Sequence, residues 1–380
     1  MGTLERSFDM AGTRSARRVA VSGSAVQPSA PSLTRRSLLC AGAASLLGLP
    51  RPALAANARV PYGAAMQADY LDSDPAYVKA FLDHCDLILP MNELKVVMLR
   101  PDRDTFHFEP ADRIVDLAVS NGLTTRGHTH IWHGGTPAWM EAITDPADLE
   151  RELVRHIETV MDHYRGRVPS WDVVNEVIAH EPTPSQPLRD STWLRTMGPR
   201  HIPVAFKAAQ NADPKARLVL NDYDLEFKGP RYDQRRAIAL SLVRQLQDAG
   251  IRIDGVGIQG HLYAEIPIDI EAVAAFGEDL KRLGVRLIVT ELDVIDWNIP
   301  GGPAEQDAAA YAVVRDFLDG VFASGPPEAV VTWGITDRYS WIPDVMPRRD
   351  GQPTRPLPLD ANFRPKSWHE LIMQRVRLPA

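Results

Sequence analysis

From residue 60 onward, short apolar runs alternate with longer segments of helical period, and this alternation constrains the fold more than any other feature. The runs fall at residues 60–66, 87–89, 123–127, 170–174, 217–221, 255–259, 286–290 and 330–334. Each is short enough for a buried strand, which gives eight strand candidates. Helical periodicity covers residues 110–121, 148–164, 232–249 and 270–283, and a stretch around 308–323. Strands that alternate with helices predict parallel pairing in βαβ units. Eight such units in roughly 310 residues suit a closed (β/α)8 barrel. An open doubly wound sheet is the rival, but no Gly-x-Gly-x-x-Gly follows any of the runs. No Pro-, Gly- or Ser-rich linker interrupts residues 60–375, so residues 56–380 read as one catalytic-sized domain. The Pro-rich stretches 182–187 and 343–358 read as long surface loops.

The chain is 44% hydrophobic and 24% charged, enough for a sizeable core. Its net charge of −7 argues against a general affinity for nucleic acid or anionic membranes, and suits a neutral or cationic ligand better. Residues 1–55 read as an export leader. Arg35-Arg36 precedes an apolar stretch from Leu38 to Leu49, and Ala53-Leu54-Ala55 supplies a small-x-small cleavage pattern. The paired arginines resemble a twin-arginine signal, which predicts a periplasmic or secreted protein. The apolar stretch is too short to span a bilayer, which needs about 20 residues. Seven arginines and two acids lie in the leader, so the remainder carries −12. Cys85 is then the single remaining cysteine, and its apolar neighbours predict burial rather than chemistry.

In a barrel the chemistry lies at the C-terminal ends of the strands. The residues that follow the apolar runs are therefore informative. Asn92, Glu93 and Lys95 follow the second run, and Gly127-His128-Thr129-His130-Ile131-Trp132-His133 closes the third. Asn175-Glu176 closes the fourth, Asn221-Asp222-Tyr223 the fifth, Gln259-Gly260-His261 the sixth and Glu291-Leu292-Asp293 the seventh. The eighth runs into Trp333-Gly334 and on to Trp341. Amides, imidazoles and an ammonium hold sugar hydroxyls, and indoles stack on pyranose faces. Two carboxylates facing each other, one protonated and one ionised, can cleave a glycoside with retention when about 5–5.5 Å apart. Mutual repulsion is expected to keep a proton on Glu176.

Trp171-Asp172-Val173-Val174-Asn175-Glu176, Gly257-Ile258-Gln259-Gly260-His261-Leu262, Val289-Thr290-Glu291-Leu292-Asp293 and Thr332-Trp333-Gly334 through Trp341 together resemble glycoside hydrolase family 10, the endo-β-1,4-xylanases. Gly127-His128-Thr129 with Trp132-His133, and Leu220-Asn221-Asp222-Tyr223, fit as well, and the resemblance runs from about Val60 to Ile372. It implies a retaining hydrolase acting on xylan or xylo-oligosaccharides, with no cofactor and no metal. By that resemblance Glu176 is the acid/base and Glu291 the nucleophile. Asn175 holds the 2-hydroxyl of the sugar at subsite −1, and His261 and Asp293 orient the nucleophile. Gln259 neighbours the acid/base. Asn92, Lys95, His128, Trp132, Trp333 and Trp341 line the subsites on the non-reducing side, and Tyr223 faces the leaving group.

The segment Pro90-Met91-Asn92-Glu93-Leu94-Lys95-Val96 departs from the family's usual Pro-Glu-Asn-x-x-Lys-Trp. Met91 replaces a carboxylate and Val96 an indole, which leaves room for another β-1,4-linked glycan at subsite −2. His130 stands where an apolar residue is usual, and Asp224 where asparagine is common. Two other classes bear on the same residues. His128, His130 and His133 could serve a metal-dependent hydrolase, although such enzymes place their His-x-His on the first strand. A barrel that binds sugar without turnover is the other, and the presence of both carboxylates weighs against it. Chelator sensitivity marks the first, and turnover of an aryl glycoside excludes the second.

Overall fold

A computed structural model of the chain describes residues 59–377, so the expected leader lies outside the described residues. Ten strands appear: β1 Tyr62–Met66, β2 Leu87–Pro90, β3 Thr124–Thr125, β4 Gly127–Ile131, β5 Ser170–Asn175, β6 Arg217–Asp222, β7 Gly255–Ile258, β8 His261–Tyr263, β9 Arg286–Ile295 and β10 Val330–Thr332. They pair in the order β3-β2-β1-β10-β9-β7-β6-β5-β4, all parallel, with β8 as a short annex on β9. β3 and β4 are separated only by Arg126, so the two ends of this path meet on one broken stave. The eight expected strands thus form an almost closed barrel of the (β/α)8 type.

The long helices alternate with the staves: α1 Pro75–His84, α2 Glu109–Ser120, α3 Pro146–His163, α4 His201–Ala212, α5 Pro230–Asp248, α6 Ile270–Arg282, α7 Pro303–Ala323 and α8 Ser367–Arg377. Their starts are written in the sequence. Asp74 and Asp145 accept backbone N–H groups of the first turn, and a proline follows each at the first helical position. Asp269 caps α6 in the same way, accepting from Ala272 N. No helix among the described residues is long and apolar enough to cross a membrane.

Two apolar clusters hold the barrel. A large outer one fills the layer between strands and helices. A smaller inner one contains Ala65, Leu87, Leu89, Met91, Val219, Ile288, Val331 and Trp333. This inner plug, capped by Trp333, forms the floor of the mouth. Cys85 is buried in the outer layer.

The strand ends differ most from the sequence reading in two places, and the eighth strand stops at Thr332, short of Trp333. The third stave continues to Ile131, and the seventh runs for ten residues to Ile295. His128, Glu291 and Asp293 therefore stand on strands rather than after them. A buried parallel strand tolerates polar side chains where they point into the barrel mouth, so an apolar run marks only the strand's first part. The stretch 343–358 is also more than a surface loop. Arg348 donates to Asp296 O at 2.6 Å and Ile299 O at 2.7 Å, and Arg355 pairs with Asp307 at 2.7 Å. These bonds clamp the segment that follows Trp341 against the loop after β9 and the first turns of α7.

Candidate active site

Glu176 immediately follows β5 in a left-handed conformation, φ 55°. That costs a non-glycine residue on the order of 1 kcal/mol, and the surrounding structure imposes it. Its N–H donates to Asn221 O at 2.8 Å, and Arg189 Nε donates to its carbonyl at 3.0 Å. The carboxyl is buried. Its Oε1 accepts from Gln259 Nε2 at 3.2 Å, and its Oε2 lies 3.6 Å from His133 Nδ1.

Glu291 projects from β9 into the same mouth. Asn221 Nδ2 donates to its Oε1 at 2.6 Å, and His261 Nε2 lies 3.3 Å from its Oε2. Asn175 Oδ1 ties the two halves together, accepting from Asn221 Nδ2 at 2.8 Å and from Gln259 Nε2 at 3.2 Å. Glu176 and Glu291 are thereby linked through three amide side chains from three neighbouring staves. The amide of Asn221 is itself fixed, since Thr290 Oγ1 donates to its Oδ1 at 2.6 Å. Gly257 makes the room, because a Cβ there would lie 2.1 Å from Asn221 Oδ1.

A chain of hydrogen bonds runs away from Glu291. His261 Nδ1 meets Asp293 Oδ1 at 2.8 Å, and Trp341 Nε1 donates to Asp293 Oδ2 at 2.7 Å. Burial opposes charge on His261, but the carboxylates of Asp293 and Glu291 outweigh it and hold the imidazole well above its usual range. On the other side, His128 Nδ1 lies 3.0 Å from Asp172 Oδ2 and 3.9 Å from Glu291 Oε1. Arg126 pairs with the second oxygen of Asp172 and so fixes that carboxylate.

The walls follow. Lys95 Nζ donates to Asn92 Oδ1 at 2.9 Å and lies 4.6 Å from the centre of the Trp132 ring and 5.7 Å from that of Trp333. Burial lowers the Lys95 ammonium, although Glu291, Glu176 and Glu93 pull it the other way. His128 meets Trp333 edge to face at 4.9 Å. Tyr223 is buried beyond Glu176, and its hydroxyl accepts from Arg189 and lies 3.0 Å from His180 Nδ1. Burial pushes that phenol up to about 12. The structure therefore gathers Asn92, Lys95, His128, Trp132, Asn175, Glu176, Tyr223, Gln259, His261, Glu291, Asp293, Trp333 and Trp341 around one mouth.

Three expectations change. Burial does raise the Glu176 carboxyl, but His133, Arg189, Trp132 and Gln259 together outweigh it and hold it below the ordinary range. Its neighbours are cations and donors, so repulsion by Glu291 is not what governs its proton. Met91 keeps its place at the mouth, lying beside Trp333 in the inner plug that forms the floor. Val96 begins a short helix, Val96–Leu99, and packs into the outer core rather than the mouth. His130 does not reach the rim. It stacks on Trp171 at 4.6 Å and meets His156 at 5.6 Å in the outer layer. A register irregularity between His128 and Ile131 sends the two histidines to different faces, so they do not converge on one ion.

Several residues of the mouth have roles that the sequence reading did not assign. Asn221, Thr290, Asp172 and Arg126 fix other side chains, and His133 and Arg189 flank Glu176. For Asn221, Thr290 and His133 the one signal is position near a strand's C-terminal end, and Arg126, Asp172 and Arg189 lack even that.

The family model for glycosyl hydrolase family 10 matches residues 52–375. Endo-1,4-beta-xylanase B of Thermotoga neapolitana is 30% identical over 343 residues, covering 89% of this chain and 95% of the relative. Endo-1,4-beta-xylanase A of Thermoanaerobacterium saccharolyticum is 32% identical over 322 residues, or 80% of this chain, but the match spans only 26% of that longer protein. Among solved structures, xylanase 10B of Thermotoga petrophila, in complex with xylobiose, superposes with a TM-score of 0.75 at 28% identity, over 84% of this chain and 94% of that one. The chain belongs to glycosyl hydrolase family 10.

Proposed function

We propose that the protein is a retaining glycoside hydrolase that cleaves β-1,4-linked xylan or xylo-oligosaccharides by double displacement. The observation that carries this reading is the amide bridge between Glu176 and Glu291, two carboxyl groups held in one mouth in opposite settings. Glu291 is fixed by Asn221 and faces His261 and His128. Glu176 lies 3.6 Å from His133, which with Tyr223 and Arg189 lines a cavity that Lys95 and Trp333 do not line.

In the first step a Glu291 oxygen attacks the anomeric carbon while Glu176 gives its proton to the departing glycosidic oxygen. In the second, Glu176 takes a proton from water, the water oxygen attacks the same carbon and the Glu291 ester breaks. Two inversions restore the starting configuration. Asn175 holds the 2-hydroxyl of the reacting sugar. His261 and Asp293, steadied by Trp341, orient Glu291. Asn92, Lys95, His128, Trp132 and Trp333 hold the sugars on the non-reducing side, and Gln259 and Tyr223 serve the acid/base and the leaving group. The xylobiose bound to the Thermotoga petrophila enzyme supports an oligosaccharide of this kind.

Export is part of the same reading. Arg35-Arg36 and the apolar stretch after them support delivery through a twin-arginine route to the periplasm or beyond. Replacing both arginines by lysine and following the protein by cell fractionation tests it. The function is tested by a product profile on xylan, carboxymethylcellulose and short xylo-oligosaccharides, with Glu291→Ala as the blank. Xylobiose and xylotriose released from xylan support the reading, and release from carboxymethylcellulose alone refutes it.

A further inference from the structure

Trp341 and Asp293 reach their hydrogen bond from two different segments, and one buried arginine ties those segments together. Asp293 stands on β9, which ends at Ile295, whereas Trp341 belongs to the segment after β10. Farther along that segment Arg348 turns back onto the end of β9. Its Nη1 donates to Asp296 O at 2.6 Å and its Nη2 to Ile299 O at 2.7 Å. Its Nε and Nη2 also donate to the two oxygens of Asp350, at 3.0 and 2.5 Å. The Arg348 side chain is 1% exposed. A guanidinium presents its donors in one fixed plane, so this set of bonds fixes the direction of the chain on both sides.

Neighbouring bonds extend the tie. Val294 N donates to Pro356 O at 3.0 Å, and Arg355 N donates to Asp296 Oδ2 at 3.0 Å. Ile342 and Met346 also anchor the segment by packing into the outer core. Apolar packing has no direction, however, and does not aim an indole N–H. The aim matters because the path onward is short. Trp341 Nε1 donates to Asp293 Oδ2 at 2.7 Å, Asp293 Oδ1 meets His261 Nδ1 at 2.8 Å, and His261 Nε2 lies 3.3 Å from Glu291 Oε2.

We propose that Arg348 is a positioning residue for the nucleophile. By tying the end of β9 to the segment that carries Trp341, it keeps the Trp341–Asp293 bond made, and through Asp293 and His261 it keeps Glu291 aimed at the anomeric carbon. None of its own hydrogen bonds among the described residues reaches Asp293, His261 or Glu291. The role deepens the double-displacement reading above and rests on it.

The test is a double-mutant cycle, read as kcat/KM on a dinitrophenyl xylobioside, which reports formation of the ester and needs little proton from Glu176. Arg348→Met keeps an unbranched side chain and loses every donor. With Trp341 in place it should lower kcat/KM by about tenfold, as expected when a charge-assisted hydrogen bond at Asp293 is lost. With Trp341→Phe, which keeps a ring but has already lost the N–H, the same change should cost less than about twofold. Arg348→Lys should recover part of the loss, since an ammonium still donates to carbonyls but without the planar fork. Equal losses in the two backgrounds would show that Arg348 supports the fold at large and does not act through Trp341. That result, or an unchanged kcat/KM in Arg348→Met, overturns the proposal. If Arg348→Met does not fold, Asp350→Asn carries the same cycle, because Asp350 is half exposed and holds the far side of the guanidinium. A several-fold loss with Trp341 and none with Trp341→Phe is then expected, and equal effects in both again overturn the role. Full activity in Glu291→Ala instead overturns the double-displacement reading, and the positioning role with it.

Discussion

Asn221 holds Glu291 by a 2.6 Å hydrogen bond while the same nitrogen, 2.8 Å from Asn175 Oδ1, ties Glu291 to the residue next to Glu176. One amide thus sets the aim of the nucleophile and its position relative to the acid/base. A hydrogen bond to a buried charge is worth about 1.5–3 kcal/mol, or roughly ten- to a hundredfold in rate. Asn221→Ala should therefore lower kcat/KM on xylo-oligosaccharides by that factor. Gly257→Ala should do the same without touching either residue's chemistry, because its methyl group takes the space of the Asn221 amide. Steady-state kinetics with a folded, soluble Gly257→Ala protein decides this. Unchanged kcat/KM would show that the amide does not position Glu291.

The pH dependence turns on Glu176. The acid needs its proton in the first step, and the cationic side of His133 and Arg189 holds the carboxyl low. With a poor leaving group, kcat/KM should fall as pH rises through the Glu176 pKa. His133→Gln removes the first-named lowering influence, so the alkaline limb should move to higher pH. With a dinitrophenyl glycoside, which needs little protonation, the limb should disappear. A limb that stays in place in His133→Gln would mean that another group sets it.

The acid stability of the fold involves His130. It is buried, neither ring nitrogen has a hydrogen-bond partner among the described residues, and burial depresses its pKa from 6.5 to about 3. Unfolding exposes an imidazole of ordinary pKa. The stability favoured by the neutral ring is complete above about pH 6.5 and is lost as pH falls toward 3, at about 1.4 kcal/mol per unit. His130→Leu removes that dependence. Relative to wild type, the variant should gain about 2 kcal/mol of unfolding free energy on going from pH 8 to pH 5. Urea titrations at the two pH values measure it. A variant-to-wild-type difference that does not change with pH would refute the assignment. His156, depressed by burial next to His130, keeps a residual slope in both proteins.

Met91 offers a test of the floor. It fills the inner plug with Leu87, Leu89 and Trp333. Met91→Glu places a carboxylate in that plug, and a buried charge without a partner costs several kcal/mol. Loss of several degrees in Tm, together with lower kcat/KM on xylobiosides, is expected. Higher activity on xylobiosides with unchanged Tm would show instead that this side chain reaches the sugar at subsite −2.

The barrel was legible because alternating periods of two kinds leave few architectures, and the rim because polar residues cluster where the apolar runs stop. Glu176 and Glu291 stood out for that reason. Three things were not legible. Asn221 and Thr290 act through a hydrogen bond across two staves, and linear order does not show which side chains face each other. Val96 and His130 each sit one or two residues from a wall residue, and their facing is set by a short helix and a local register shift rather than by simple alternation. The charge around Glu176 comes from His133 and Arg189, which lie 43 positions before it and 13 after it, so the expected like-charge control of its proton gave way to cationic control.

The central claim is that Glu291 forms a covalent glycosyl ester and Glu176 completes its hydrolysis. A 2-deoxy-2-fluoro xylobioside with a dinitrophenyl leaving group slows both steps and accumulates that ester. Intact-protein mass spectrometry followed by peptide mapping should find one added disaccharide, located on Glu291, and no adduct in Glu291→Ala. An adduct on any other residue, or rapid turnover that yields the inverted sugar without an adduct, would contradict the account.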